Sequence, residues 1–134
     1  MKNTNLEQLK RYFLSFCSKN IEDLKDIFSD NVELKDWNNE FFGKEEVLKE
    51  VKSIFNSFNS IQLKVISVYE FVDALSYKDG EHFLSYINHI VTPSDNKFAC
   101  QIEISFDGGE PLRVIDLIEF DDSGNIKNLT AYKR

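Results

Sequence analysis

Two aspartates fall on strand faces that are otherwise apolar. In Val32-Glu33-Leu34-Lys35-Asp36 the period of two puts Asp36 on the face of Val32 and Leu34, and in Leu112-Arg113-Val114-Ile115-Asp116-Leu117-Ile118-Glu119-Phe120 it puts Asp116 with Leu112, Val114, Ile118 and Phe120. A carboxylate turned toward a core is costly unless it is paired, hydrogen-bonded or protonated. Strands carrying such acids often line a pocket, and a raised carboxylate pKa suits proton transfer near neutral pH. Tyr12 adds a hydroxyl within one helical turn of Leu9 and Phe16. Each residue also has a plainer reading: Asp36 before Trp37-Asn38-Asn39 is a common turn former, Tyr12 a core aromatic, and Asp116 a buried acid satisfied by Tyr12. Together they favour a pocket more than they favour any one reaction.

The elements that must carry these residues follow from periodicity. Leu6, Leu9, Phe13 and Phe16 recur at steps of three and four, which predicts a first helix. Asn20, with Asp23 three residues on, caps a second that runs through Leu24, Ile27 and Phe28 and stops at Ser29-Asp30-Asn31. The strand to Asp36 follows, then the polar turn Asn38-Asn39, a short piece at Phe41-Phe42, and Gly43. Glu45 and Glu46 suit the positive end of a third helix with the stripe Val47, Leu48, Val51, Ile54, Phe55 and Phe58. β-branched and aromatic residues predict a strand from Ile61 to Phe71 and two more at 97–106 and 112–121, joined by the hairpin signal Asp107-Gly108-Gly109-Glu110. A turn at Asp121-Asp122-Ser123-Gly124-Asn125 leads to a last strand ending near Tyr132. Between them, residues 72–96 read as an insert. Phe83, Tyr86, Ile87, Ile90 and Val91 have helical spacing with Asp79 as cap, although Tyr86 to Thr92 also suits a strand. Three helices followed by antiparallel strands predict an α+β domain with helices against one face of a curved sheet.

Composition bounds the function. A length of 134 residues with 42% hydrophobic content suits a single domain over 1–134. The net charge of −7 argues against a nucleic-acid partner, since Lys10-Arg11 and Lys133-Arg134 are too few to make a basic face. Met1 to Gln8 lack the apolar core of a secretory signal, and no stretch approaches the roughly 18 apolar residues of a membrane span. The expectation is a cytoplasmic protein with no membrane partner, in which Cys17 and Cys100 are reduced core thiols. Neither a nucleotide or flavin motif nor a cluster of His and carboxylates appears, so no cofactor and no metal are expected. His82 and His89 fall in the insert, where a dehydratase-like role would require His89 to face the cavity.

The order of elements, the phrase Asn20-Ile21-Glu22-Asp23-Leu24-Lys25-Asp26-Ile27-Phe28-Ser29-Asp30-Asn31-Val32, and the ending from Val114 through Ile126 to Ala131-Tyr132 resemble the SnoaL-like group of the nuclear transport factor 2-like superfamily over nearly the whole chain. The resemblance implies a cone-shaped, cystatin-like fold in which a bent sheet wraps the first helix around a deep apolar cavity. It also implies a homodimer formed through the outer sheet face. Its nearest chemical likeness is to ketosteroid isomerase at three positions. Tyr12 resembles the oxyanion tyrosine, Asp36 the proton-shuttling base, and Asp116 the acid kept protonated by its apolar site. Removing a proton next to a carbonyl needs a base near the carbon and donors at the oxygen where charge develops. On this reading an apolar small-molecule ligand would be lined by Phe16, Trp37, Phe55, Phe58, Tyr69, Phe98, Val114 and Ile118.

The chain departs from the isomerase pattern at Val51, where a further tyrosine would support the oxyanion network, and in the longer connection between the third helix and Asp116. Two other functions therefore stay open: a non-catalytic ligand-binding or dimerisation module, and a hydrolase or polyketide cyclase working from the same cavity.

Overall fold

A computed structural model describes residues 4–70 and 96–133; the expected insert at 72–96 falls almost entirely outside them. The described elements are helices α1 (Asn5–Cys17), α2 (Ile21–Ile27) and α3 (Lys44–Ser57), and strands β1 (Phe28–Lys35), β2 (Glu40–Phe42), β3 (Ile61–Glu70), β4 (Lys97–Phe106), β5 (Leu112–Phe120) and β6 (Ile126–Lys133).

The helix starts follow from local hydrogen bonding. Thr4 opens α1 with a capping box: its hydroxyl accepts from the Glu7 N–H, and the Glu7 carboxylate accepts from the Thr4 N–H. The buried stripe then runs through Leu9, Tyr12 and Phe13, whereas Leu6, expected in it, lies largely in solvent. Asn20 caps α2 by accepting from the Asp23 N–H at 3.1 Å. Arg11 on α1 reaches Asp23 and Asp26 on α2, each at 3.0 Å, and ties the two helices together.

The second helix ends earlier than its composition suggested. Phe28 is already in the sheet, paired with Ile126, and a register shift between Phe28 and Glu33 takes up the polar run Ser29-Asp30-Asn31 as an irregularity within β1. Gly43 precedes α3 at φ 87°, ψ 151°, and its N–H donates to the Val32 carbonyl at 2.8 Å. At the other end of α3, the Lys19 ammonium donates to the carbonyls of Phe55 and Phe58, placing a cation where the helix leaves carbonyls unpaired.

The sheet has six described strands in the order β2-β1-β6-β5-β4-β3. Every neighbouring pair is antiparallel except β1 with β6, which run parallel. Alternation turns Phe98, Cys100, Ile102 and Ile104 of β4 and Val114, Asp116, Ile118 and Phe120 of β5 toward the helices, where they are buried. At the far end of the sheet the Asp107 carboxylate accepts from the N–H groups of Asn59 and Ser60 at 2.7 and 2.8 Å, fastening the β4–β5 turn to the entry of β3. The result is an α+β cone with the core between the helices and one sheet face. Among the described residues no helix is long and apolar enough to cross a membrane.

Gly43 occupies a backbone region that side chains rarely enter, and an added Cβ would meet only the Asp30 carbonyl oxygen, at 4.0 Å. The cost of Gly43→Ala is therefore backbone strain and not a clash, and it should lower unfolding free energy by about 1–3 kcal/mol in urea melts. An unchanged midpoint would show that the α3 entry relaxes without loss.

Candidate active site

One cavity of about 220 Å³ lies between α1, α3 and the inner sheet face, lined by residues that include Tyr12, Asp36 and Asp116. Helix α1 brings Tyr12 and Phe16 to it because these positions share the stripe that faces the sheet. Leu34, Asp36 and Trp37 enter from the end of β1, Val51 and Ile54 from α3, and Ile102, Val114 and Ala131 from the sheet.

Asp116 stands on β5 between Cys100 of β4 and Ala131 of β6. It is 5% exposed. The structure gives it no hydrogen bond to a described residue, yet no fully enclosed side-chain oxygen or nitrogen among the described residues lacks a partner. Its carboxyl oxygens therefore open onto the cavity. Burial raises its pKa from 3.8 to about 7, so near neutral pH the acid is present in both neutral and charged forms.

The Tyr12 hydroxyl is held far above the ordinary phenol range, first by burial and then by the charge of Asp116, and so keeps its proton as a donor. Ring contacts with Phe13, Phe16 and Phe28 at centroid distances of 5.3, 6.2 and 6.0 Å fix its orientation. Beside Asp116, the Cys100 thiol is pushed up to about 12, chiefly by burial and then by that acid, which keeps it from acting as a nucleophile. Cys17 and Cys100 are both free.

Asp36 does two things at once. Its Oδ1 accepts from the N–H groups of Asn38 and Asn39, both at 2.7 Å, and its own N–H donates to the Asn39 carbonyl at 2.9 Å. This is the turn-forming role expected of an aspartate before Trp37-Asn38-Asn39. The same carboxylate also borders the cavity. The last paired positions of β1 and β6 are Lys35 and Thr130, so Asp36 stands one residue further on, opposite Ala131. Asp116 is thus paired with Ala131, and Asp36, one residue beyond the end of β1, lies on the Ala131 side of the last β1–β6 pair.

Of the residues expected to line a ligand site, Phe16, Trp37 and Val114 do so. Phe55, Phe58, Tyr69, Phe98 and Ile118 lie elsewhere, for separate reasons. Phe55 packs edge-on behind Phe16 at 5.4 Å, and Phe58 stacks on Phe106 at 4.4 Å. Phe98 and Ile118 pair on the inner face two positions deeper than Cys100 and Asp116, and Phe98 meets Phe120 edge-on at 5.9 Å. Tyr69 is 58% exposed on the outer face. A bulge between Val65 and Ser67 reverses the parity of β3, so a residue that simple alternation would turn inward points out.

Sequence reasoning did not single out Ile102, Phe106 or Ala131 as lining residues. The first two follow once β4 is known to face the cavity; Ala131 carried no signal beyond its place in the last strand. Val51 faces the cavity as an apolar residue, so no hydroxyl supports Tyr12 from α3. Among the described residues no group of three or more His, Cys, Asp or Glu is placed to hold a metal ion. His82 and His89 lie outside those residues.

No protein-family model and no curated protein sequence matches the chain. Solved structures do. A nuclear transport factor 2-like protein of unknown function from Cytophaga hutchinsonii superposes with a TM-score of 0.71 at 12% identity, covering 100% of this chain and 93% of that one. A candidate ketosteroid isomerase from Kribbella flavida gives 0.70 at 13%, covering 98% and 78%. Nuclear transport factor 2 from Cryptosporidium parvum gives 0.68 at 15%, covering 98% and 92%. The chain therefore has the nuclear transport factor 2-like fold. At these identities the likeness extends to the fold alone.

Because the Asp116 pKa is raised from 3.8 to about 7, its contribution to stability is complete below pH 3.8 and is lost as pH rises to about 7. That difference corresponds to a loss on the order of 4 kcal/mol. Asp116→Asn should remove this part of the pH dependence, so the gap in unfolding free energy between wild type and variant should change steadily between about pH 4 and pH 7. A gap independent of pH in urea melts would mean that Asp116 titrates normally.

Proposed function

We propose that this protein binds a small, apolar, carbonyl-bearing molecule and moves a proton on the carbon next to the carbonyl. The observation that carries the reading is that Tyr12, Asp36 and Asp116 all border one apolar cavity, with Asp116 left without a described protein partner. A carbonyl oxygen lying between Tyr12 and neutral Asp116 would receive two hydrogen bonds that strengthen as it becomes an enolate. Asp36, across Ala131, would take the proton from the adjacent carbon and return it elsewhere on the conjugated system, so that no net proton is consumed. Low water content makes the two donors count for more than they would in solvent. The chemistry requires neither metal nor cofactor.

A binding module without turnover is the second reading. It is favoured by the engagement of the Asp36 Oδ1 in its turn and by Val51, which leaves Tyr12 without a supporting hydroxyl. A cyclase or hydrolase using the same acids is a variant of the first. One fold neighbour, from Sinorhizobium meliloti, is described as a candidate polyketide cyclase.

The two readings separate in deuterium oxide. With a bicyclic β,γ-unsaturated ketone followed by proton NMR, wild type should accelerate isomerisation and deuterium uptake. Asp36→Asn should lose about 10²–10⁴-fold of that rate, and Asp116→Leu, which removes the donor, about 10²–10³-fold. Trp37 is the chain's single tryptophan and borders the cavity, so quenching of its emission reports occupancy separately. Quenching without isotope exchange would establish the binding module and end the enzyme reading.

The outer sheet face supports a homodimer. Ile66, Tyr69 and Tyr132 are 46%, 58% and 54% exposed, and register places Ile115 and Leu117 between them. Exposed aromatic and aliphatic residues interleaved with polar Gln101 and Thr130, as here, suit a subunit contact. Tyr132→Glu combined with Leu117→Lys should convert a dimer to monomer in sedimentation velocity. A wild type that sediments as a monomer at high concentration excludes this interface. The free thiols Cys17 and Cys100 suit a reducing compartment such as the cytoplasm.

A further inference from the structure

The floor of the cavity between its two acids consists of a single methyl group. Across the inner sheet face the row runs Asp36, Ala131, Asp116, with Ala131 paired directly to Asp116 and Asp36 one step past the last β1–β6 pair. The rows on either side are filled by larger side chains. Leu34 and Leu129 form the deeper one, and Lys133, Val114 and Ile102 the shallower one. A trough results, with aliphatic chains along its deeper side, Lys133, Val114 and Ile102 along its shallower side, and a carboxyl group on either side of Ala131. Tyr12 and Phe16 roof it from α1, and Trp37 stands near the Asp36 end.

We infer that Ala131 is the residue that sets substrate length at this site, selecting a planar molecule of about two fused rings that reaches from Asp116 and Tyr12 to Asp36. The inference rests on the proposed function and narrows its substrate class. The cavity volume supports that size. A cavity of about 150 Å³ lined by apolar side chains accommodates one benzene ring, and the cavity here, at about 220 Å³, has room for roughly half as much again. Planarity follows from the trough: the methyl of Ala131 lies beneath a flat molecule, whereas any longer side chain at that position would stand between the acids. Molecules of three or more rings exceed the volume and would have to displace Trp37.

Phenol and 2-naphthol test this because both present the same hydroxyl to Tyr12 and Asp116, and only the second extends over Ala131. Affinities are read by ligand-observed NMR titration at one pH, with circular dichroism as the check on folding. Wild type should bind 2-naphthol more tightly than phenol. Ala131→Leu should weaken 2-naphthol about tenfold or more, equivalent to about 1.4 kcal/mol, and leave phenol within about threefold. Ala131→Val, better suited to a strand, should fall between them and serves if the leucine variant does not fold. Equal losses for both probes, no loss for either, or a wild type that does not prefer 2-naphthol would each overturn the assignment of Ala131. Asp116→Leu, which has no donor, tests the underlying reading separately: it should weaken both probes alike, and unchanged binding of both would remove Asp116 as donor whatever Ala131 does.

Discussion

Moving a carboxylate out of water costs several kcal/mol unless a partner or a proton compensates, and Asp116 is enclosed by an apolar sheet face with no described protein partner. The neighbourhood is consistent with compensation by a proton. Tyr12 stays neutral beside it, and Cys100 on the adjacent strand stays a thiol. A group in that state can donate a hydrogen bond at neutral pH and responds strongly to any charge that develops next to it. The rest of the cavity can be understood as the enclosure that keeps it so.

That enclosure depends on devices far from the acid. Arg11 holds α2 against α1 through Asp23 and Asp26, which steadies the helix carrying Tyr12 and Phe16. Lys19 closes the carboxyl end of α3, and Gly43 allows its amino end to start directly from the β2 turn. The parallel pairing of β1 with β6 matters most, because it carries the end of β1 to Thr130, next to Ala131, and so brings Asp36 to the cavity that Asp116 borders. An antiparallel contact at that position would send the chain after β1 in the opposite direction.

The fold is shared with proteins at 7–15% identity, among them nuclear transport factor 2 and a candidate polyketide cyclase. A scaffold this permissive does not specify chemistry, and differences of function must come from what lines the cavity. Among the described residues the cavity is lined by one tyrosine, Tyr12, with Val51 opposite it on α3, by an aspartate already engaged in its own turn, and by the Ala131 methyl beside Asp116.

Much of this was legible in the chain itself. Helical stripes, the Asn20 cap, the Asp107-Gly108-Gly109-Glu110 turn and the strand alternation depend on neighbours within a few residues, and they located the three helices and most strand limits. Local pattern also exposed Asp36 and Asp116 as acids on apolar faces, since parity is a property of the strand alone. What the sequence could not show were effects of pairing. The bulge that turns Tyr69 outward, the early entry of Phe28 into the sheet, and the depth that removes Phe98 and Ile118 from the cavity are all set by register with another strand. The chain by itself determined the alternation within each element; only the tertiary structure decided which faces are covered and which residues meet, because hydrogen-bonded register fixes positions between segments that sequence separates by up to a hundred residues.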